Sequence, residues 1–194
     1  MSVISTEQVK ALRDSTGISI MQCKKALEEA DGDMDKARII LEKQSKAVAM
    51  KKSDRSLGAG VVSSYIHTTG SIGSLVELSC ETDFVAKNED FKKLAYDIAM
   101  HVAASAPEFL RKEDISEEAR KKAIEVFEKE VEGKPEEMKA KILEGKLNSY
   151  FSEKILLEQK FIKNQDTTIA SMLDGAVQKF GEKTEITRFV RFAI

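Results

Sequence analysis

The sequence predicts an α+β fold: an N-terminal three-helix module followed by a small three-stranded antiparallel sheet covered by helices. Three observations carry it. Helix-capping signals recur at short spacing through the first fifty residues. Two runs of β formers flank one tight turn at 68–71. A further β-rich run closes the chain after a long helical middle. Strands, then helices, then a returning strand give a sheet with helices on one face.

The elements follow in order. Ser5 with Gln8 three residues on is a capping box, so a first helix starts there with Val9 and Leu12 inward, and Ser15-Thr16-Gly17 ends it. Ser19 with Gln22 repeats the pattern and opens a helix whose Cys23, Ala26, Leu27 and Ala30 form one stripe. Asp31-Gly32-Asp33 stops that helix and caps a third short one, with Met34, Ala37 and Leu41 inward. The module spans 1–52, a linker 53–59 and an α+β core domain 60–194. Gly60–His67 and Ile72–Cys80 read as a hairpin, and the period of two turns Ile72, Ser74, Val76, Leu78 and Cys80 to one face. Asn88 caps a helix striped by Phe91, Leu94, Ala95, Ile98 and Val102, which Pro107 ends. Ser116 opens a helix with Ala119, Ala123, Phe127 and Val131 inward. Gly133-Lys134-Pro135 turns the chain into an antiparallel partner carrying Met138, Ile142 and Leu147. Thr167 caps a last helix that Gly181 stops, and Glu185–Phe192 reads as the third strand. Its open face is either polar or an association surface; the alternation does not choose.

Composition narrows the function. A net charge of −2 and no Trp argue against direct nucleic-acid binding as the main task. The basic stretch Lys43, Lys46, Lys51, Lys52 and Arg55 reads as a solvated helix end and linker. No apolar run approaches the ~20 residues that span a bilayer, and MSVISTEQVK has no signal-peptide pattern. Two cysteines are too few for a disulfide framework and suit a reducing cytoplasm as buried core residues. Cys23, Cys80, His67 and His101 have no zinc spacing, and no phosphate-binding glycine motif occurs. Glu81 and Asp83 have no nearby basic partner to make either an acid or a base. The expectation is a protein that is not an enzyme and needs no cofactor or metal.

The stretch ETDFVAKN (81–88) sits between the second strand and the Asn88 cap. Its Phe84 is either core or a tool for use on another molecule. Leu12–Leu27, LRDSTGISIMQCKKAL, and Cys80–Ala86, CETDFVA, together resemble the signature segments of the elongation factor Ts family. The likeness continues through His101–Pro107 to Arg188–Phe192. Ser19 stands for the family's usual glycine or alanine and Gln22 for its aspartate, both compatible with capping. The chain is similar to the short form, with one sheet core and no separate long helical hairpin.

The resemblance implies a UBA-like N-terminal module and a translation factor that binds elongation factor Tu with GDP and promotes exchange for GTP. It implies an exchange loop of Thr82, Asp83, Phe84 and Val85 inserted near the partner's magnesium and phosphate site. It further implies contacts to that partner from Arg13, Ile20, Met21 and Lys24 in the module and from the Y-x-H pair Tyr65 and His67. Two short chains would pair through the open sheet face as a homodimer, making 60–194 a dimerisation domain. Two other classes stay open on the residues alone. One is an adaptor whose module binds peptide or ubiquitin-like partners, and the other is a small hydrolase using Glu81 or Asp83.

Overall fold

The computed structural model describes residues 4–131 and 135–194. The Gly133-Lys134 part of the expected turn lies outside the described residues. Helices α1 (Thr6–Thr16), α2 (Ile20–Glu29) and α3 (Met34–Lys51) come first, then the strands β1 (Ala59–Ile66) and β2 (Ile72–Cys80). A single turn, α4 (Asp83–Ala86), leads into α5 (Glu89–Ser105), followed by α6 (Glu117–Glu130) and α7 (Glu136–Ser152). A short ribbon of β3 (Lys160–Phe161) and β4 (Asn164–Thr168) precedes α8 (Ile169–Phe180) and β5 (Thr184–Ala193). The main sheet has the order β1-β2-β5 with both pairings antiparallel.

Local chemistry sets the helix ends. Ser5 Oγ accepts the Gln8 amide while Gln8 Oε1 accepts the Ser5 amide, a reciprocal box. Gly17 takes φ 69°, a left-handed conformation open to glycine, and its N–H closes on the Arg13 carbonyl at 2.7 Å. Ser19, Asp33, Asn88 and Ser116 each accept an amide of the helix they open. The last helix is capped by Thr168 rather than Thr167. Thr168 Oγ1 reaches the Ser171 amide at 3.1 Å, whereas Thr167 Oγ1 receives the Asn164 side chain. Two adjacent threonines are equivalent in sequence, and only backbone geometry separates them.

Two cores result. Leu12, Ile18, Cys23, Leu27 and Leu41 fill the helical module. Val76, Leu78, Cys80, Phe91, Ile98, Val102, Ile169 and Ile186 fill the space between sheet and helices. The third helix is longer than expected. Leu41 serves the module, and beyond it α3 packs along α8, where Ser45 hydrogen-bonds Gln178. A bulge at Thr187 shifts the β2–β5 register between Glu77 and Leu78, keeping both Ile186 and Phe189 against the helices.

One expectation is overturned in the middle of the chain. Helices α6 and α7 do form a separate hairpin with its own small core of Ala123, Phe151 and Ile155, backed by Phe127 and Leu147. Edge-on rings of Phe127 and Tyr150, 5.5 Å apart, and an ion pair between Lys146 and Glu130 tie its arms. Met138 of the partner helix is exposed, because a two-helix hairpin has no third layer to cover its apolar residues. The β3–β4 ribbon also had no sequence signal, being too short and polar for a period of two.

His101 is fully buried in α5. Gln159 Nε2 donates to the Glu153 carbonyl, so its Oε1 accepts from His101 Nε2, at 2.8 Å, and Ser105 Oγ lies 3.4 Å from Nδ1. Burial pushes the imidazole's pKa down. An unfolded histidine titrates near about 6.5, so the unfolded chain binds this proton more readily. Stability from this group is complete above that pH and is lost as pH falls toward the lower folded value. Thermal melts between pH 7.5 and 5 should show Tm dropping across that window, and His101→Gln should flatten the drop. An identical slope in the variant would assign it to other groups.

Candidate functional site

The segment 81–88 is fixed at both ends. On one side Cys80 completes a buried strand, and its Sγ lies 3.2 Å from the Thr82 carbonyl. On the other, Asn88 caps α5 through the Asp90 amide at 2.9 Å. Between them α4 forms one turn, with Ala86 and Lys87 amides returning to the Thr82 and Asp83 carbonyls. Helical spacing then sorts the side chains. Val85 is buried in the sheet core, whereas its neighbour Phe84 is 81% exposed. Val85 anchors the turn that puts Phe84 in solvent.

Both carboxylates of the segment have basic partners, which corrects the sequence expectation. Lys87 Nζ sits 2.5 Å from Asp83 Oδ2 and holds the carboxyl below its ordinary range. Glu81 accepts the Lys183 backbone N–H at 2.6 Å and the Arg55 guanidinium at 3.1 Å, and the first of these chiefly keeps it ionised. Partners supplied from i+4 on one side and from a distant turn on the other are invisible to a reading of 81–83 alone. A general acid at neutral pH needs the opposite displacement, which neither carboxylate shows. Burial raises the thiol pKa of both Cys23 and Cys80, which leaves them unreactive core residues.

The other candidates occupy two further places. Ile20 and Met21, at the start of α2, are 58% and 83% exposed. Periodicity alone would put Ile20 on the Cys23–Leu27 stripe, but it lies in the first turn, beyond the module's core. Arg13 is exposed on α1, and Lys24 pairs with Glu28 at 3.8 Å along α2. Tyr65 and His67 are two apart at the end of β1, so they share a side. The Tyr65 hydroxyl meets His67 Nδ1 at 3.2 Å, and the Tyr65 ring stands edge-on to Tyr96 at 5.9 Å. His67 is thereby oriented while remaining exposed.

The basic stretch is more engaged than its expected solvated role. Lys43, Lys46 and Lys51 are exposed, but Lys52 Nζ donates to the Gly181 carbonyl at 2.6 Å and Arg55 holds Glu81. In the sequence Gly181 reads only as a helix stop, and Glu182 and Lys183 carry no signal. No local pattern marks them, because their partners lie about a hundred positions away in sequence. Among the described residues, no helix is long and apolar enough to cross a membrane, and no group of three or more His, Cys, Asp or Glu is placed to hold a metal ion.

A helical module, a helix-covered sheet and an anchored turn presenting a bare phenylalanine define an α+β protein that holds one large apolar side chain in solvent. A family model described as Elongation factor TS matches residues 34–194. The chain is 46% identical over 194 residues to elongation factor Ts of Thermosipho melanesiensis, covering 99% of each chain. It is 48% identical to elongation factor Ts of Desulforamulus reducens and also to that of Carboxydothermus hydrogenoformans, covering 99% of this chain and 89% of each relative. The chain belongs to the elongation factor Ts family, and so to the elongation factors of protein biosynthesis.

Proposed function

We propose that this protein is a cytoplasmic guanine nucleotide exchange factor. It binds elongation factor Tu carrying GDP and promotes release of GDP, and hence exchange for GTP, by inserting the Asp83-Phe84 turn near the magnesium and phosphate site. The observation that carries this reading is Phe84, 81% exposed on a turn fixed at both ends. A large apolar side chain held this way loses little freedom on docking. The exposed Arg13, Ile20, Met21 and Lys24 supply a second grip on the GTPase domain, and Tyr65 and His67 a third, on another domain. No bond is made or broken by this protein. Its work is differential affinity: by linkage, whatever factor it weakens nucleotide binding, nucleotide weakens its own binding. Release of a fluorescent GDP from elongation factor Tu is the test. Trace amounts of the protein should accelerate release well beyond the spontaneous rate, and no acceleration at micromolar concentration would overturn the reading.

The sheet face away from α5 supports pairing of two copies. Val62, Ile66, Leu75, Val190 and Phe192 are all exposed, and the strand register puts Ile66 beside Gly73 and Phe192 opposite it. Contiguous exposed apolar side chains of this kind mark an association surface. We place the homodimer contact here. Light scattering should give twice the chain mass, and Leu75→Lys, at the centre of the face, should return the monomer mass. A wild-type monomer at tens of micromolar would remove the dimer.

A further inference from the structure

We propose that Glu182, in the turn between α8 and β5, is a positioning residue for the Asp83-Phe84 turn, acting through a polar clamp that also holds the chain leaving the N-terminal module. The inference rests on the exchange function proposed above. Thr82 precedes α4 but makes no side-chain capping bond to it. It turns instead to Glu182, whose Oε2 accepts the Thr82 N–H at 2.9 Å and whose Oε1 accepts the Thr82 hydroxyl at 2.6 Å. Two oxygens on one residue fix both its position and its orientation. The same turn holds the preceding residue, since the Lys183 N–H donates to Glu81 Oε1 at 2.6 Å. Arg55 completes the Glu81 contact, Lys52 Nζ donates to the Gly181 carbonyl at 2.6 Å, and Lys183 Nζ donates to the Ser53 carbonyl at 2.6 Å. Residues 52–55, 81–82 and 181–183 thus form one network drawn from three distant segments.

The reason for such a clamp is the exposure of Phe84. A buried side chain is oriented by its neighbours, but Phe84 has almost none, so its direction must come from the backbone. Val85 packing fixes one point of the turn, and Glu182 fixes a second, immediately before Asp83. Exposed polar contacts of this kind add little to global stability. Their effect is geometric, and a docking group works only when its supporting residues hold it in place. Because Lys52, Ser53 and Arg55 belong to the same network, the position of the turn is also tied to the end of α3.

The chain has no Trp, so Phe84→Trp gives a single fluorescent reporter on the turn. Adding Glu182→Ala should lower the anisotropy of that reporter while Tm shifts by no more than about 2 °C. In GDP release from elongation factor Tu, Glu182→Ala alone should lower the maximal rate about tenfold and move the half-saturating concentration less than about twofold. Glu182→Gln, which keeps one acceptor oxygen, should fall between. Thr82→Val should weaken release on its own and add nothing in the Glu182→Ala background. If Glu182→Ala does not fold, Glu182→Gln and Thr82→Val carry the test. Unchanged anisotropy and rate overturn the clamp, as does a loss that merely follows Tm. Full activity of Phe84→Ala would instead overturn the exchange reading itself, whatever Glu182 does.

Discussion

Phe84→Ala is expected to cripple exchange and leave the fold intact. The side chain is 81% exposed in the free protein, so its removal opens no cavity. Surface changes of that kind usually stay within about 0.5 kcal/mol, and denaturant unfolding should give nearly superimposable curves. In the proposed complex the same ring becomes buried, a change worth about 1.5–3 kcal/mol. At 1.4 kcal/mol per decade this corresponds to a loss of about 10- to 150-fold in stimulated GDP release. Stopped-flow release of labelled GDP with matched concentrations of both proteins reads it directly. A destabilised variant would mean that Phe84 packs within its own chain. A stable and fully active one would mean that the turn is not the tool.

Phe91→Ala, seven residues on, is expected to do the reverse. Phe91 is fully buried in α5, and its ring meets Phe180 of α8 edge-on at 5.7 Å, so it joins the two helices that cover the sheet. Removing a buried phenylalanine costs about 3–5 kcal/mol, through lost transfer energy and the cavity left behind. A domain holds only about 5–15 kcal/mol in total, so the urea midpoint should fall by a large fraction of its value. The folded fraction should retain exchange activity, because the turn itself is untouched. A loss under about 1 kcal/mol would mean that the α5–α8 seam relaxes to fill the space.

These two phenylalanines show how far local pattern reaches. Phe91 lies on a stripe with Ala95, Ile98 and Val102, and a helical period of 3.6 is enough to send all four inward. Phe84 has no such partners, so composition left core and surface equally open. Its exposure follows from Val85 taking the single inward position of a one-turn helix. The hairpin α6–α7 illustrates a different limit. Its helices and its Ser116 cap were legible, but whether they lay on the sheet or stood apart depended on which apolar residues found each other. Alternating charges describe a wet surface without saying how much of the helix is wet.

The sequence by itself determined the longer helices, the β-hairpin and the returning strand, because caps, periods and tight turns act over three to five residues. It also carried the two segments, Leu12–Leu27 and Cys80–Ala86, by which the family is recognised. Only the tertiary structure decided what surrounds those segments. The Ser45–Gln178 contact sets the module against α8, and the Glu182–Thr82 and Lys183–Glu81 bonds fasten the Asp83-Phe84 turn. Each joins residues a hundred or more positions apart. Hydrogen bonds at that separation leave no periodicity behind, since they depend on where whole elements come to rest rather than on any residue's neighbours in the chain.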